Sequence, residues 1–221
     1  IIGPNGSGKT TLFNCITALL PLTSGDIYFR GERISGLRAD EIANRGIRRT
    51  FQAGKLAPSL TVRENVMCGC SRFTVADGGD VFLRPPFVRS KKEKALAEEA
   101  GEALALVGLA PAAERWGAEL GWADRQFLQI ARAVAAKPRL LLLDEPTSGM
   151  AARETRRAGE LIKKIRDQGI TVVMVSHDIK MLLGIAEWVT VLNFGQKIAC
   201  GPPAEIQRDP LVREAYLGTE A

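Results

Sequence analysis

The sequence offers few side chains that could bind a transition metal through sulfur or imidazole, with only four cysteines and one histidine. The cysteines show neither CxxC spacing nor the density of a disulfide-stapled domain, which fits a reducing compartment. Cys68 and Cys70 lie far from His177 in the sequence, so we interpret them as small buried residues rather than metal ligands. The other two are Cys15 and Cys200.

Long apolar runs are also missing. The longest ones, at residues 140–143 and 170–175, are far shorter than the roughly 20 residues that span a bilayer. No secretory signal opens the chain, which starts at Ile1 without an initiator methionine, and we expect upstream sequence to be missing. The net charge of +5 is modest, so composition alone does not predict a nucleic-acid partner.

Strand-like and helix-like segments alternate along the chain, which predicts an α/β fold with a parallel sheet covered by helices. Apolar runs at 1–2, 140–143 and 171–176 are typical of parallel strands buried on both faces. Two hairpins, at 25–34 and 188–200, add antiparallel strands. Helices are predicted at 9–20, 40–44, 91–107, 153–168, 179–187 and 203–217.

The segment from about residue 53 to residue 137 differs from the rest, because prolines and glycines interrupt it and no strand alternation is visible. We interpret it as a helical insert. The flanking segments, 1–52 and 138–221, are then the α/β core.

A glycine-rich segment between a predicted strand and a predicted helix fits the pattern GxxxxGK[ST]: Gly3, Pro4, Asn5, Gly6, Ser7, Gly8, Lys9 and Thr10. In such a phosphate loop, backbone N–H groups turn inward around phosphate oxygens, and glycines keep the approach open. We expect Lys9 to reach the outer phosphates of ATP, Thr10 to bind the Mg²⁺ that bridges them, and Thr11 to complete the site. The alternative is a glycine-rich turn that binds nothing.

Two acidic residues, Asp144 and Glu145, follow the apolar run at 140–143. In open α/β sheets the carboxyl ends of the strands face the crevice where ligands bind. We expect Asp144 to hold Mg²⁺ through water and Glu145 to polarise the attacking water as a general base. Without the phosphate loop upstream, the pair would be equally compatible with capping the next turn.

The only histidine, His177, follows the strand predicted at 171–176. An isolated histidine is more often structural than catalytic. This position, however, places it on the same sheet edge as the phosphate loop and Glu145, which favours a contact to the terminal phosphate. Lys9, Glu145 and His177 are therefore the predicted catalytic residues of an ATPase.

These motifs, in this order, resemble the nucleotide-binding domain of ABC transporters over essentially the whole chain. The resemblance implies a P-loop NTPase (RecA-like) core with a parallel sheet, an antiparallel β addition and an inserted α-helical subdomain. It also implies that Gln52, at the junction with the insert, senses Mg²⁺ and water and changes its position in response to the membrane subunit. Family members form head-to-tail dimers, in which one subunit's phosphate loop and the other's signature sequence enclose each ATP.

The signature departs from the family pattern LSxGQ in the segment at residues 120–126, which we call the signature segment. Gly121 replaces the usual serine, which removes a hydroxyl donor to the γ-phosphate. Ala123 replaces the usual glycine, which adds a methyl group where backbone approaches closely. Ala151 replaces the usual acidic or amide residue of the D-loop, and Trp122 is interpreted as a packing residue. We expect a weakened half-site for the partner subunit.

Within the family, residues 49–52, 60–67 and 215–218 resemble LivG-type ATPases of branched-chain amino acid importers. The resemblance implies transmembrane permease subunits and a second ATPase subunit, either LivF-like or another copy, at the cytoplasmic face of a bacterial-type inner membrane. ATPases for urea import or lipopolysaccharide export share parts of this pattern.

Two other classes stay open. A soluble ABC-type ATPase acting on DNA or ribosomes would usually carry tandem domains or extended basic arms, and the sequence shows neither, so no nucleic-acid partner is expected. A regulator that binds ATP without hydrolysing it disagrees with the intact residues Lys9, Asp144, Glu145 and His177.

Overall fold

The structure is a computed structural model, and it describes residues 1–51, 56–70 and 91–217. Its helices are α1 (Lys9–Ile16), α2 (Ala39–Asn44), α3 (Val62–Met67), α4 (Lys91–Val107), α5 (Trp122–Val134), α6 (Ala152–Asp167), α7 (Ile179–Ile185), α8 (Pro203–Ile206) and α9 (Pro210–Leu217). Its strands are β1 (Tyr28–Phe29), β2 (Glu32–Arg33), β3 (Ile47–Arg49), β4 (Leu140–Asp144), β5 (Thr171–Val175), β6 (Val189–Asn193) and β7 (Gln196–Gly201). Short 3-10 turns lie at Ala110–Ala112 and Gly117–Glu119.

The central sheet is parallel, with β4 between β3 and β5. Ile1 and Ile2 continue it: the Ile1 backbone nitrogen donates to the Met174 carbonyl oxygen, and Ile2 pairs in parallel with Val191 of β6. β7 then pairs antiparallel with β6. The phosphate loop therefore starts from the middle of the sheet, beside the strands that lead to Asp144 and His177.

The strand β4 is buried on both faces, as its unbroken run of leucines predicts. Leu142 packs into one apolar cluster with Phe13 of α1, whereas Leu141 and Leu143 pack into the other with helices α5 and α6. Successive side chains of a strand point to opposite faces, so the two clusters lie on opposite sides of the sheet. The larger cluster continues into α3 and α4.

The hairpins at the predicted positions are present, and β1 and β2 form a two-stranded antiparallel sheet of their own. The helix predicted at 9–20 is wrong at its C-terminal end, because α1 stops at Ile16 and Ala18 adopts a positive φ of 55°. Cys70 is buried as expected, but the same expectation is wrong for Cys68, which is exposed.

Within the described residues, no helix combines the length and the apolar content that a membrane-spanning helix requires.

Candidate nucleotide-binding site

The phosphate loop, residues 3–10, connects Ile2 to α1. Gly3 lies against the neighbouring strand: a Cβ at this position would come within 2.1 Å of the Leu192 carbonyl oxygen and 2.6 Å of Ser7 Oγ. Gly8 is the N-cap of α1 with a φ of 94°, a conformation that residues with a Cβ rarely adopt. Only glycine therefore fits the backbone conformation at these two positions. The loop leads into the first turn of α1, whose N–H groups have no partner within the helix.

The surface of the loop is accessible to a ligand. Asn5, Gly6, Thr10 and Thr11 are exposed, Pro4 is half-buried, and Ser7 is buried under the loop. Thr10 and Thr11 lie in the first turn of α1, so their hydroxyl groups stand beside the helix N-terminus, where anions bind.

Lys9 reaches back into the loop that precedes it. Its Nζ donates to the carbonyl oxygens of Gly3 at 2.7 Å and Pro4 at 2.8 Å, and it lies 3.2 Å from Ser7 Oγ. Burial lowers the pKa of Lys9, while Glu145 and then Asp144 oppose the shift. The ammonium group thus lies inside the loop, close to the two carboxylates that follow β4.

Asp144, the last residue of β4, forms a buried ion pair with Arg49, the last residue of β3. Arg49 Nη2 donates to Asp144 Oδ2 at 2.7 Å, and each side chain is 4% exposed. Asp144 Oδ1 is buried and has no hydrogen-bond partner among the described residues. Arg49 was not predicted as a site residue, because only the sheet register, which pairs Arg49 with Leu142, brings it beside Asp144.

An unpartnered, buried carboxylate oxygen fits a Mg²⁺ ion that arrives with a nucleotide. Such ions take one or two carboxylates and complete their shell with phosphate and water oxygens. Thr10 offers an exposed hydroxyl for the same purpose. Gln52, the third predicted ligand, lies outside the described residues.

Glu145 and His177 contact each other directly. His177 Nε2 lies 2.6 Å from Glu145 Oε1, with the glutamate side chain 14% exposed and the histidine 50% exposed. Glu145 has a positive φ of 48°, an uncommon conformation for a residue with a side chain and one that often occurs at functional sites. Its backbone N–H donates to the Val175 carbonyl oxygen, which ties the turn after β4 to the end of β5. Two residues predicted to be catalytic are therefore neighbours.

This arrangement has the chemical parts of phosphoryl transfer to water. A cation lies inside a glycine-rich loop of the kind that can bind phosphates, and a mostly buried carboxylate in contact with an imidazole could accept a proton. The site residues Lys9, Asp144, Glu145 and His177 all lie at the carboxyl edge of the sheet, as predicted.

The signature segment begins α5, with Gly121 as an N-cap that has no side-chain hydrogen bond. A Cβ at Gly121 would meet no heavy atom within 4 Å. The Trp122 indole donates from Nε1 to the Ser148 carbonyl oxygen at 2.9 Å, and a Cβ at Gly149 would lie 3.1 Å from the same nitrogen. Trp122 therefore packs on the turn that follows Glu145, although its side chain remains largely exposed.

Two family models match this chain. The model described as ABC transporter matches residues 1–148, and the model described as branched-chain amino acid ATP-binding cassette transporter matches residues 196–221. Among curated proteins, the high-affinity branched-chain amino acid transport ATP-binding protein LivG of Escherichia coli (strain K12) is 36% identical over 219 residues. That alignment covers 99% of this chain and 86% of LivG.

Solved structures agree with these matches. An ATP-binding cassette of an ABC transporter in its ADP conformation superposes with a TM-score of 0.83 at 29% identity, covering 98% of this chain and 86% of that one. A dimeric cassette in a post-hydrolysis state, bound to ADP and Pi, gives a TM-score of 0.72 at 29% identity and covers 91% of this chain and 83% of the other. The chain therefore belongs to the ABC transporter family, as an ATP-binding subunit of the group that includes LivG.

Proposed function

We propose that this chain hydrolyses ATP to drive the import of branched-chain amino acids through an ABC transporter. The observation that carries the proposal is the likeness to LivG along nearly the whole chain, joined to the family match at residues 196–221. The close contact between Glu145 and His177 supports the hydrolytic part, because a general base needs an oriented carboxylate.

The proposed roles follow the geometry of the site. The phosphate loop and Lys9 bind the nucleotide phosphates, and Thr10, Asp144 and Gln52 hold Mg²⁺, which when bound offsets the negative charge of the phosphates. Glu145 accepts a proton from the attacking water, and His177 orients Glu145 and contacts the terminal phosphate. In this proposal, residues 1–52 and 138–221 form the nucleotide-binding core and about 53–137 the helical subdomain.

The proposal includes a second ATPase subunit. In a head-to-tail pair, the phosphate loop of this chain would face the partner's signature, and the partner's loop would face Gly121 and Ala123. A LivF-like partner with an intact signature would complete the first site, whereas another copy of this chain would leave both sites weakened. The pair would sit on permease subunits at the cytoplasmic face of the membrane.

The test is transport by the reconstituted complex. The chain, a LivF-like partner and the neighbouring permease subunits would be placed in proteoliposomes with a binding protein, and ATP-driven uptake of leucine would be compared with that of urea. We expect leucine uptake to depend on Glu145, since losing a general base lowers turnover by about 10²–10⁴-fold.

The variant Glu145→Gln keeps the size of the side chain and removes its basicity. A matched control is Glu160→Gln, the same change at an exposed position of α6. Retention of most ATPase activity in Glu145→Gln would refute the catalytic assignment, and uptake of urea instead of leucine would refute the substrate.

A further inference from the structure

The guanidinium group of Arg49 joins three parts of the molecule at the candidate site. Nη2 donates to Asp144 Oδ2 at 2.7 Å, and Nη1 donates to Asn14 Oδ1 at 2.7 Å on α1. Its Cζ lies 5.4 Å from the ring centre of Phe13 and 5.2 Å from that of Phe51, two residues further along the chain. One planar group thus contacts the end of β4, the helix that follows the phosphate loop, and the segment that leads to Gln52.

The ion pair between Arg49 and Asp144 is not readily explained by a contribution to the stability of the fold. Removing both charges from water carries a desolvation cost that only complete hydrogen bonding offsets, and a buried pair is weak evidence for stability. Here the hydrogen bonding is incomplete, because Arg49 Nε and Asp144 Oδ1 are both buried and neither finds a partner in residues 1–51, 56–70 or 91–217. The pair fixes one carboxylate oxygen and leaves the other free to accept.

We propose that Arg49 is a positioning residue, which holds Asp144 by one oxygen and presents the other oxygen to the Mg²⁺ of the bound nucleotide. The inference rests on the proposed assignment of Asp144 to Mg²⁺.

The planar shape of the arginine side chain is essential to this role. Its fork places two donors at fixed angles, so it bonds to Asp144 and Asn14 at once while its Cζ lies near the rings of Phe13 and Phe51. A lysine keeps the charge but is a point donor on a flexible stem, and it cannot reproduce this bridge. The substitution Arg49→Lys therefore keeps the positive charge beside Asp144 and removes the fixed geometry that orients its carboxylate.

The test measures nucleotide affinity with and without the metal. Binding of AMP-PNP, a non-hydrolysable ATP analogue, to the purified full chain would be titrated in excess Mg²⁺ and again in EDTA, and the ratio of the two affinities is the Mg²⁺ gain. We expect Arg49→Lys to lower the Mg²⁺ gain about tenfold, the size of effect typical for residues that orient a metal ligand. The affinity in EDTA should stay at the wild-type value, because the phosphate loop is unchanged.

The matched control is Arg48→Lys, the same change one residue earlier on β3, where the side chain points to the opposite face of the strand. It should leave both affinities unchanged. Arg49→Lys with a wild-type Mg²⁺ gain would overturn the proposal.

A double-mutant cycle separates this inference from the assignment on which it rests. If Arg49 acts through Asp144, Arg49→Lys should cause no further loss of the Mg²⁺ gain in an Asp144→Asn background. An equal loss in both backgrounds refutes the positioning role alone. A full Mg²⁺ gain in Asp144→Asn refutes the assignment of Asp144 itself.

A second variant covers the case in which Arg49→Lys does not fold. Asn14→Ala keeps the ion pair but removes the shorter of the two hydrogen bonds that Nη1 donates, and the longer one, to Thr17 Oγ1 at 3.3 Å, remains. It should lower the Mg²⁺ gain in the same direction by a smaller factor. An unchanged gain in folded Asn14→Ala contradicts the proposed bridge.

Discussion

At the scale of single residues, the candidate site places buried charges beside groups that offset them. The Lys9 ammonium donates to two carbonyl oxygens of its own loop, and Arg49 pairs with one of the two carboxylate oxygens of Asp144. Burial of the unpaired groups would otherwise be costly. In the proposed function, Lys9 would exchange those carbonyl contacts for phosphate oxygens, and the affinity would then reflect the difference between the two sets of contacts.

Lys9→Ala tests this exchange. We expect both the affinity for Mg-ATP and the turnover to fall, by about tenfold or more for affinity, because a hydrogen bond to a charged group contributes about 1.5–3 kcal/mol. The measurement is equilibrium binding of Mg-ATP together with the ATPase rate of the mixed dimer. Lys180→Ala, at an exposed position of α7, is the control for loss of one positive charge. Undiminished affinity and turnover in Lys9→Ala would contradict the role of the loop.

The residues of the site were predictable where a short motif carries the chemistry. Lys9, Asp144, Glu145 and His177 follow strands or precede a helix, so their common sheet edge follows from the order of elements. Arg49 was not predictable in this way. Its role depends on the register of β3 against β4 and on the rotamer that brings the guanidinium group to Asp144. Neither the register nor the rotamer can be predicted from the local sequence.

At the scale of elements, the helix α3 fixes the segment between residues 57 and 61. The Asn65 side chain is buried, its Oδ1 accepts from the Ala57 N–H, and its Nδ2 donates to the carbonyl oxygens of Ala57, Leu60 and Thr61. The Leu60 carbonyl oxygen also accepts from the Gly117 N–H, shortly before the signature segment. One side chain therefore pairs with four backbone groups of this loop, which is otherwise held by an antiparallel bridge between Thr61 and Trp116.

Asn65→Ala should lower the free energy of unfolding by about 2 kcal/mol, because it leaves buried backbone groups without partners. Chemical denaturation of the purified chain measures this loss. Arg63→Ala, on the same helix, removes a solvent-exposed ion pair with Glu114 and should cost less than about 1 kcal/mol. Equal losses in the two variants would mean that the Asn65 hydrogen bonds do not stabilise the loop.

The elements that the sequence predicted well are those with a strong apolar period or run. The strand β4 and the helix α6 lie within one residue of their predicted bounds, since leucines mark the first and Gly169, at a φ of 85°, ends the second. The strand β3 was missed because two of its three residues are arginines, so its sequence resembles an exposed loop. Its pairing with β4 overrides that local preference.

At the scale of the whole molecule, the chain has two candidate functional surfaces, and they differ in how completely they match the groups expected for ATP hydrolysis. The phosphate loop with Glu145 and His177 has the groups expected for hydrolysis. The signature segment lacks the serine hydroxyl and carries an extra methyl group at Ala123. In a head-to-tail pair these surfaces belong to different ATP sites, so the pairing predicts one active site and one slow site.

Restoring the signature should raise turnover at the slow site alone. In a mixed dimer that carries Glu145→Gln, the remaining turnover comes from the partner's loop facing this chain's signature segment. Gly121→Ser with Ala123→Gly should increase that turnover about tenfold or more, because a hydrogen-bond donor to transition-state charge contributes about 10²–10³-fold in oxyanion holes. The serine fits without displacement, since no heavy atom lies within 4 Å of the Cβ position at Gly121.

The increase should come from chemistry and not from a more stable helix. A serine at this N-cap adds only a few tenths of a kcal/mol over glycine, and glycine in place of Ala123 inside α5 costs up to about 1 kcal/mol, so the midpoint of thermal unfolding should not rise. The control is the same double substitution opposite a partner that lacks its own phosphate-loop lysine, where the slow site has no nucleotide to hydrolyse. Turnover that stays unchanged in the first dimer, or rises equally in both, would mean that the altered signature does not limit the slow site.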